Sequence, residues 1–333
     1  MRPATIRDVA REAGVGVGTV SRVLGGQPRV APATREKVEA AIARLGYHPN
    51  AAAQALSRKR TDTLEVAVPL VSRDFYVEVL RGIEIALEGS GYSLLIRTIE
   101  RAEDRARVFA ALAAPGRADG AIIVSQAPTP ALVRRLDAER MPVVLVDGLH
   151  RMLPSIAVDH ESAAAQAVQH LIDLGHRRIA YVDHAATPFA QGSPAGRQHG
   201  YEAAVTAAGL PLHPTYEIIT EFSAAGGEAA LAALVAQPAP PTALFVGSDT
   251  QAAGVLTAAR RLGVRVPDDL AVIGYNDIDL ATYLDLTTMR VPMREMGRQG
   301  VALLRSAMEG PALSRPPATL LRAELVVRGS SGG

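Results

Sequence analysis

The sequence predicts a small all-helical N-terminal domain followed by a larger α/β core of two similar units. Helical periodicity, with glycines at the helix ends, covers most of residues 5–60. From residue 61 onward, short runs rich in β-branched and aliphatic residues alternate with helical stretches. The charge also changes at this point, because the first 60 residues are basic and the remainder is acidic. These three observations divide the chain into a head and a body.

The charge asymmetry is large. Residues 1–60 hold eleven Lys and Arg against four Asp and Glu, a net charge of +7. Because the whole chain of 333 residues is +1, residues 61–333 carry −6. A basic head on an acidic body indicates a polyanionic partner for the head, although an ordinary solvated basic surface would have the same composition.

Composition also excludes several classes of site. The chain has no cysteine, so it has neither disulfides nor thiolate metal sites. No apolar run is long enough to cross a membrane, and no apolar signal core opens the sequence. We therefore expect a cytoplasmic protein.

Three helices are predicted in the head. Thr5 is placed to cap the first helix, with Asp8 three residues later, and Gly14 ends it because glycine tolerates positive φ. The second helix covers Val17–Leu24 and the third Pro32–Leu45, where proline is acceptable in the first turn. Apolar residues on one face of each helix predict a shared core: Ile6, Val9, Ala10, Ala13, Val20, Val23, Leu24, Val38, Ala41, Ile42 and Leu45.

A helix, a short turn containing glycine and a second helix form the helix-turn-helix pattern, in which the second helix enters the major groove of DNA. Arg22 can make two hydrogen bonds to guanine, and Val17 suits a thymine methyl group. The outward positions of this helix are Val17, Gly18, Thr19, Ser21 and Arg22. A three-helix bundle with no DNA role is the alternative. A dinucleotide-binding loop at residues 14–18 is excluded, because a helix and not a strand precedes it.

The body contains two successive series of strands and helices, which predict parallel sheets with helices on both faces. Two such units predict two Rossmann-like lobes with a ligand cleft at the carboxyl ends of their strands. A final helix and strand are predicted over residues 293–308 and 320–327. The two series of strands are predicted at residues 64–70, 92–98, 120–125 and 142–147, then at 178–184, 217–220, 243–248 and 271–276.

Side chains at or just after these strand ends are the candidate ligand contacts. Carboxylates, hydroxyls, an amide, a guanidinium and aromatic rings together suit a polyhydroxylated ligand. An alternative role is a structural ion pair for Arg197 and helix capping for Asp249 and Asp277. The candidates are Ser72, Asp74, Phe75, Ser125 and Asp147 in the first unit, and Arg197, Phe222, Ser248, Asp249, Asn276 and Asp277 in the second.

No motif singles out an enzyme. His160 and Glu161 resemble the start of the zinc-protease motif HExxH, but Ala164 stands where the second histidine is required. The sequence contains neither a nucleophile elbow nor a Walker phosphate loop. We therefore expect no catalytic residue, no metal and no cofactor.

The segments TIRDVAREAGVGVGTVSRVLGG and TREKVEAAIARLGYHPNAAAQAL closely resemble the head of the lactose-repressor (LacI/GalR) family of bacterial transcription regulators. The resemblance extends over nearly the whole chain, since HLIDLGHRRIAYV and LGVRVPDDLAVIGYND also match family phrases. It implies a core with the type I periplasmic-binding-protein fold. The implied divisions are a helix-turn-helix head (1–48), a hinge helix and linker (49–60) and a core (61–333), with lobe one at about 62–160 and 291–320 and lobe two at about 161–290 plus the C-terminus.

By this resemblance the hinge helix, about residues 50–57, orders on operator DNA and pairs with a second copy in the minor groove. Leu56 matches the leucine that wedges into the central base step, as apolar side chains do in other minor-groove binders. Two departures are Gly16, in place of a capping serine, and Gly18, which is a weak helix former inside the recognition helix. The expected DNA contacts are Thr5, Val17, Gly18, Thr19, Ser21, Arg22, Arg29, Thr34, Tyr47, Asn50, Ala53 and Leu56.

In the core the resemblance is strongest at Arg197, which stands in GRQHGY and matches the arginine that grips the ligand. Phe222 matches an aromatic wall of the site. Ser248-Asp249 and Asn276-Asp277 match two ligand-contacting strand ends. Asn276 replaces the usual aspartate, and an amide cannot balance a cationic group on a ligand.

These observations predict a sequence-specific DNA-binding transcriptional regulator, a repressor whose operator affinity responds to a small molecule bound between the lobes. A sugar is the expected effector, and a purine or another metabolite is the alternative. The expected partners are pseudo-palindromic operator DNA, the effector and a second copy of the chain. A solute-binding protein without a DNA role and an α/β enzyme with a fused helical domain are the rival classes.

Overall fold

A computed structural model describes residues 4–25, 29–47, 60–101, 103–185, 193–310 and 316–332. The chain forms two compact units, Met1–Asp62 and Thr63–Gly333. The hinge helix expected at about residues 50–57 lies outside the described residues. Within the described part of the chain, no helix is long and apolar enough to cross a membrane.

The described part of the head is a bundle of three helices around one small core. Thr5 donates from its N–H and its hydroxyl to Asp8 Oδ2, at 2.9 and 2.6 Å, and Gly14 ends the first helix with φ of 66°. Every apolar face residue predicted above lies in the core or packs against it. The helices begin and end where the sequence predicts: α1 (Ile6–Ala13), α2 (Val17–Leu24) and α3 (Pro32–Leu45).

The core contains two six-stranded sheets. The strands of the first are β1 (Thr63–Val68), β2 (Ser93–Thr98), β3 (Gly120–Val124), β4 (Val143–Val146), β5 (Ser155–Val158) and β11 (Ala318–Leu321). Their order is β11-β5-β4-β3-β1-β2, and each neighbouring pair is parallel. We call this sheet and the helices packed on it the first lobe.

The second lobe has the same plan. Its strands are β6 (Ile179–His184), β7 (Glu217–Thr220), β8 (Ala243–Val246), β9 (Ala271–Asn276), β10 (Thr287–Arg290) and β12 (Glu324–Val326). Their order is β12-β10-β9-β8-β6-β7, and β12 runs antiparallel to β10. The chain therefore crosses between the lobes after β5, after β10 and after β11.

Helices cover both sheets, as the alternation of strands and helices predicts. They are α4 (Asp74–Leu87), α5 (Asp104–Leu112), α6 (Pro130–Ala138), α7 (His160–Asp173), α8 (Ser193–Ala207), α9 (Ala224–Val235), α10 (Asp249–Leu262), α11 (Asp279–Tyr283) and α12 (Met293–Glu309). Although α12 follows the second lobe in sequence, it packs on α4 of the first. The two backbones approach so closely that a Cβ at Gly82 or Gly297 would overlap the facing backbone.

The eight strands of the two predicted series are all present, with ends shifted by at most two residues. The strand predicted at residues 320–327 was wrong as a single element, because the chain leaves the first sheet after Leu321 and enters the second at Glu324. The sequence did not predict β5, β10, α6 or α11. One apolar core runs from the first sheet through α7 and α8 into the second, so the lobes share part of their interior.

Candidate functional site

The outer face of α2 is the candidate DNA-reading surface of the head. Val17 is 42% exposed, and Ser21 and Arg22 are also exposed, while Thr19 is half-buried. Val20 and Val23 hold the opposite face in the core. The outward set predicted from helical periodicity is therefore available to a partner.

Gly18 shapes the middle of this surface. A Cβ built there would meet nothing within 4 Å, so the position is open. Arg22 lies one turn later, and its Nε donates to the Gly18 carbonyl at 3.2 Å. The guanidinium is thus held along the helix, and its terminal nitrogens can still reach a base edge or a phosphate.

The other expected DNA contacts lie in several environments. Thr5 is part-buried as the cap of α1. Arg29 is exposed before α3, and Thr34 is half-buried in the first turn of that helix. Tyr47 packs against the core of the head. Asn50, Ala53 and Leu56 lie outside the described residues.

A cavity opens at the carboxyl ends of strands from both sheets, and we call it the cleft. It contains about 480 Å³ of empty volume, part of which is open to solvent. Residues from both lobes line it, which fits the position of ligands in open α/β sheets. They are Arg73, Phe75, Tyr76 and Asp147 of the first lobe, His160 at the crossing, and His184, Ser193, Arg197, Phe222, Gly247 and Asn276 of the second.

The floor of the cleft is a chain of hydrogen bonds that connects the lobes. Ser125 donates to Asp147 Oδ2 at 2.5 Å, and His160 Nε2 lies 3.3 Å from Asp147 Oδ1. His160 Nδ1 lies 2.7 Å from the Tyr275 hydroxyl of β9. Burial raises the pKa of Tyr275, so the phenol keeps its proton. With an imidazole proton on Nε2, the phenol can donate to Nδ1 while Nε2 donates to Asp147.

These hydrogen bonds determine the charge of Asp147. Burial alone would raise its pKa, but His160 and Ser125 together hold the pKa below its ordinary value. Asp147 therefore remains a carboxylate in the cleft. Its φ of 60° is in the left-handed region and turns the side chain at the end of β4.

A buried ion pair forms the second-lobe wall. Arg197 Nε and Nη2 donate to Asp183 Oδ2 and Oδ1, at 2.8 and 3.1 Å, and both side chains are at most 5% exposed. Burial would raise the pKa of Asp183, but the guanidinium lowers it. A Cβ at Gly247 would overlap the Asp183 carboxylate, so the pair requires glycine there. The Arg197 guanidinium also lies 5.0 Å from the centre of the Tyr275 ring.

Two side chains contact the Phe222 ring, on the other side of the cleft. The Arg73 guanidinium carbon lies 4.2 Å from the centre of the Phe222 ring, in cation–π geometry. The His184 ring meets Phe222 edge-on, with centroids 5.0 Å apart. Burial lowers the pKa of His184, and the positive charges of Arg197 and Arg73 add to this effect. His184 is therefore neutral at pH 7.

Comparison with known proteins decides the family. The model described as "Bacterial regulatory proteins, lacI family" matches residues 5–50, and "Periplasmic binding protein-like domain" matches residues 168–331. Catabolite control protein A of Priestia megaterium is 38% identical over 308 residues, 91% of this chain and 92% of that protein. The chain belongs to the lacI family.

Two solved structures of lacI-family regulators are similar to this chain over nearly its whole length. The lac repressor dimer bound to operator and the anti-inducer ONPF gives a TM-score of 0.86 at 30% identity, covering 99% of each chain. The transcriptional regulator CelR in complex with cellobiose gives a TM-score of 0.72 at 32% identity, covering 98% of this chain and 99% of that one. The predicted family and fold class are thus confirmed.

Membership of the lacI family establishes the class of function. The protein is a DNA-binding transcriptional regulator and not an enzyme. The rival classes of solute-binding protein and fused α/β enzyme are therefore excluded. Among the residues that the structure describes, no group of three or more His, Asp or Glu side chains could hold a metal ion.

Five of the predicted effector residues lie in the lining of the cleft: Phe75, Asp147, Arg197, Phe222 and Asn276. Ser125 acts behind this lining through its hydrogen bond to Asp147. Five of the eleven predicted residues are elsewhere: Ser72, Asp74, Ser248, Asp249 and Asp277.

Two of these five are exposed, and the others are engaged within the second lobe. Ser72 and Asp74 face solvent. Ser248 caps α10 by accepting from Gln251 N–H at 3.2 Å. Asp249 accepts from Ile278 N–H and the Thr288 hydroxyl, and Asp277 accepts from Arg290 and Arg328, both at 2.7 Å.

Sequence reasoning missed four cleft residues with informative side chains. Arg73 and Tyr76 flank the predicted Phe75, and His184 is the last residue of a predicted strand, so the same strand-end rule would have found it. In the sequence, His160 stands out only as the start of an incomplete zinc-protease motif. Its position at the chain crossing depends on the packing of both sheets, which the sequence pattern does not give.

Proposed function

We propose that this lacI-family repressor binds a small polyhydroxylated molecule in the cleft, and that the bound molecule changes its affinity for operator DNA. The observation that carries the proposal is the cleft lining itself, in which a carboxylate, a guanidinium and an amide from two lobes converge beside an aromatic ring. The complex of the similar regulator CelR with cellobiose supports a sugar as the class of ligand.

In this proposal Asp147, Arg197 and Asn276 bind ligand hydroxyls, and Phe222 packs against the apolar face of the sugar ring. Asp147 and Arg197 are held by their own partners and are therefore preorganised before the ligand arrives. Phe75 and Tyr76 complete the wall on the first-lobe side.

The ligand acts on DNA binding by changing how the lobes close. A molecule that contacts both lobes favours one closure over another by the difference between its affinities for the two states. We infer that this changes the spacing of the segments leading to two hinge helices, in which Asn50, Ala53 and Leu56 contact the minor groove. The other proposed DNA contacts are Thr5, Val17, Gly18, Thr19, Ser21, Arg22, Arg29, Thr34 and Tyr47.

The regulator acts as a dimer in this proposal, in the cytoplasm where its operator lies. The lac repressor, to which the chain is similar, was solved as a dimer on operator DNA. Strand β2 is an edge strand of the first sheet, and Leu95 and Ile96 on it are 38% and 40% exposed. An uncovered apolar edge of this kind is suited to pairing with a second copy.

Binding of polyols to the full chain and to Phe222→Ala tests the proposal. Loss of the ring should weaken the binding of a stabilising sugar by about tenfold, because stacking and buried area are lost. Ile219→Ala, an exposed residue on β7, is the matched control and should bind as the wild type does.

The measurements are the shift of the melting temperature in a panel of sugars and purines, and operator binding at fixed salt with and without each compound. A purine that outperforms every sugar would change the ligand class. If no compound stabilises the core or alters operator binding, or if Phe222→Ala responds as the wild type does, the cleft is not the effector site.

A further inference from the structure

We propose that the effector carries a carboxylate or a phosphate, and that Arg73 selects it. This inference rests on the proposed function of the cleft and specifies the chemical class of the ligand. It concerns a sugar acid or a sugar phosphate, as opposed to a neutral sugar. The charged groups of the cleft differ in whether they have a partner within the protein.

The other charged groups of the cleft have partners within the protein. Arg197 donates to both oxygens of Asp183 and forms a balanced ion pair. Asp147 is a carboxylate that accepts from Ser125 and His160. Its negative charge suits a ligand hydroxyl and disfavours an anion, so the anionic group of a ligand has Arg73 as its partner.

Arg73 differs from these groups. Its guanidinium lies over the Phe222 ring, and no carboxylate among the described residues lies within ion-pair distance of it. The adjacent Asp74 lines a different groove, together with Glu78 and Arg81. Glu221, next to Phe222, is exposed and forms no ion pair with Arg73 in the described structure.

His184 does not supply a second cation near Arg73. Its Nδ1 lies 3.0 Å from the Ala185 carbonyl, and its burial favours the neutral imidazole. The Arg73 guanidinium carbon and the His184 ring both contact Phe222, at 4.2 and 5.0 Å from the centre of its ring, so the charge of Arg73 lies at the cleft lining. Arg73 is thus the uncompensated positive charge on the described lining.

Desolvation then favours an anionic ligand. A ligand that fills the cleft removes water from Arg73, and a buried unpaired charge is costly. A neutral sugar would leave that cost uncompensated. A carboxylate or phosphate would pair with the guanidinium through two hydrogen bonds while the opposite face stays on Phe222. The same residue therefore favours an anion and disfavours its neutral analogue.

Matched ligands test this directly. Calorimetric titration of the full chain would compare D-glucose with D-glucose 6-phosphate and D-gluconate, and D-ribose with D-ribose 5-phosphate. We expect at least one anion to bind the wild type tenfold or more tightly than its neutral partner. The phosphates and gluconate distinguish the two sources of negative charge.

Three variants assign the preference to Arg73. Arg73→Gln should reduce the ratio of anionic to neutral affinity to about threefold or less, because it removes both the partner of the anion and the unpaired charge beside a neutral sugar. Arg73→Lys retains the charge and should restore part of the preference, which a purely structural role of the Phe222 contact would not do. Arg134→Gln removes the same charge from an exposed position on α6 and should leave the ratio unchanged.

The proposal is overturned if no anion binds the wild type more tightly than its neutral partner, or if Arg73→Gln keeps the full preference. Neutral sugars that bind and alter operator affinity, without any anion preference, would overturn this inference and leave the proposed function intact. Failure of every polyol to bind would instead remove both, while operator binding of the head would remain measurable.

Discussion

Two buried aspartates in the second lobe show how one residue type acquires opposite properties. Asp183 accepts from the Arg197 guanidinium, and this charge lowers its pKa although burial alone would raise it. Asp249 is equally buried but accepts from neutral donors, the Ile278 N–H at 2.9 Å and the Thr288 hydroxyl at 2.6 Å. Burial therefore dominates and raises the pKa of Asp249 to about 7.

Asp249 should make the stability of the core depend on pH. Because its folded pKa is raised to about 7 from 3.8, its contribution to the free energy of unfolding is fully present below about pH 4. That contribution is lost as the pH rises through 7. Asp249→Asn cannot ionise, so the wild type should lose stability relative to this variant between pH 4 and 7, by at most about 4 kcal/mol.

Urea unfolding of both proteins at intervals from pH 4 to pH 8 measures this difference. The other titrating groups are the same in both proteins, so their contributions cancel in the difference between the two free energies of unfolding. Parallel stability curves over the whole range would show that Asp249 does not titrate in this interval.

At the scale of elements, α2 combines a good sequence signal with weak local stability. It contains eight residues, is capped by Gly16 and holds Gly18 inside its first turn. Glycine in a helix interior costs about 1 kcal/mol relative to alanine, whereas at the N-cap glycine is better than alanine. A Cβ at either glycine would meet no other atom within 4 Å, so the effect of an alanine there depends on helix and capping propensity and not on packing.

The two glycines should therefore respond in opposite directions to alanine. Gly18→Ala should stabilise the head by about 1 kcal/mol, and Gly16→Ala should destabilise it by roughly 0.5–1 kcal/mol. Hydrogen exchange of the Val20 and Val23 amides in the full chain reports on α2 specifically. Exchange should slow about fivefold in the first variant and quicken in the second. The same sign in both would show that packing, and not helix propensity, limits this helix.

The helices and strands that the sequence predicted are those whose own residues show a clear pattern of caps or apolar positions. β1, β3 and β4 are almost entirely buried apolar runs, and the three head helices have caps and one apolar face. β10 has no such pattern, because its residues are Thr287, Thr288, Met289 and Arg290. Its threonines are buried because Ser330 and Arg328 bond Thr287, and Asp249 accepts from Thr288. These partners are distant in sequence, so only the folded chain reveals them.

The same distinction applies to the site. The strand-end rule located Asp147 and Asn276 correctly at the cleft. It also selected Ser248 and Asp249, where helix capping and a contact to the next strand engage the side chains instead. A serine followed by a helix is an N-cap signal, and giving it more weight would have removed Ser248 from the candidates. Arg73 depends on the approach of Phe222 from the other lobe, which no local pattern encodes.

At the scale of the whole core, two contacts across the cleft connect the lobes. Arg73 lies on Phe222 on one side, and His160 joins Asp147 to Tyr275 at the floor. The apolar core shared through α7 and α8 supports the floor from behind. A movement of β9 relative to the end of β4 would alter the hydrogen bonds of His160 to Tyr275 and Asp147. Among the described contacts, these bonds are therefore well placed to couple ligand binding to lobe movement.

Tyr275→Phe tests this coupling, with Tyr201→Phe as its control. Both phenols are buried and each makes a hydrogen bond, but Tyr275 bonds His160 at the crossing, whereas Tyr201 bonds the Ile179 carbonyl within the second lobe. Each variant removes the hydrogen bond of a buried phenol and should lose about 1–3 kcal/mol of stability.

Only Tyr275→Phe should also change the factor by which ligand alters operator affinity. That factor is measured from operator titrations at fixed salt, with and without the polyol that stabilises the wild type most, and again from polyol titrations with and without operator, since linkage requires the two to agree. We expect at least a threefold loss of coupling in Tyr275→Phe, measured as the ratio of operator affinities with and without ligand. Equal loss in Tyr201→Phe would attribute the effect to general destabilisation, and full coupling in Tyr275→Phe would place the connection between the lobes elsewhere.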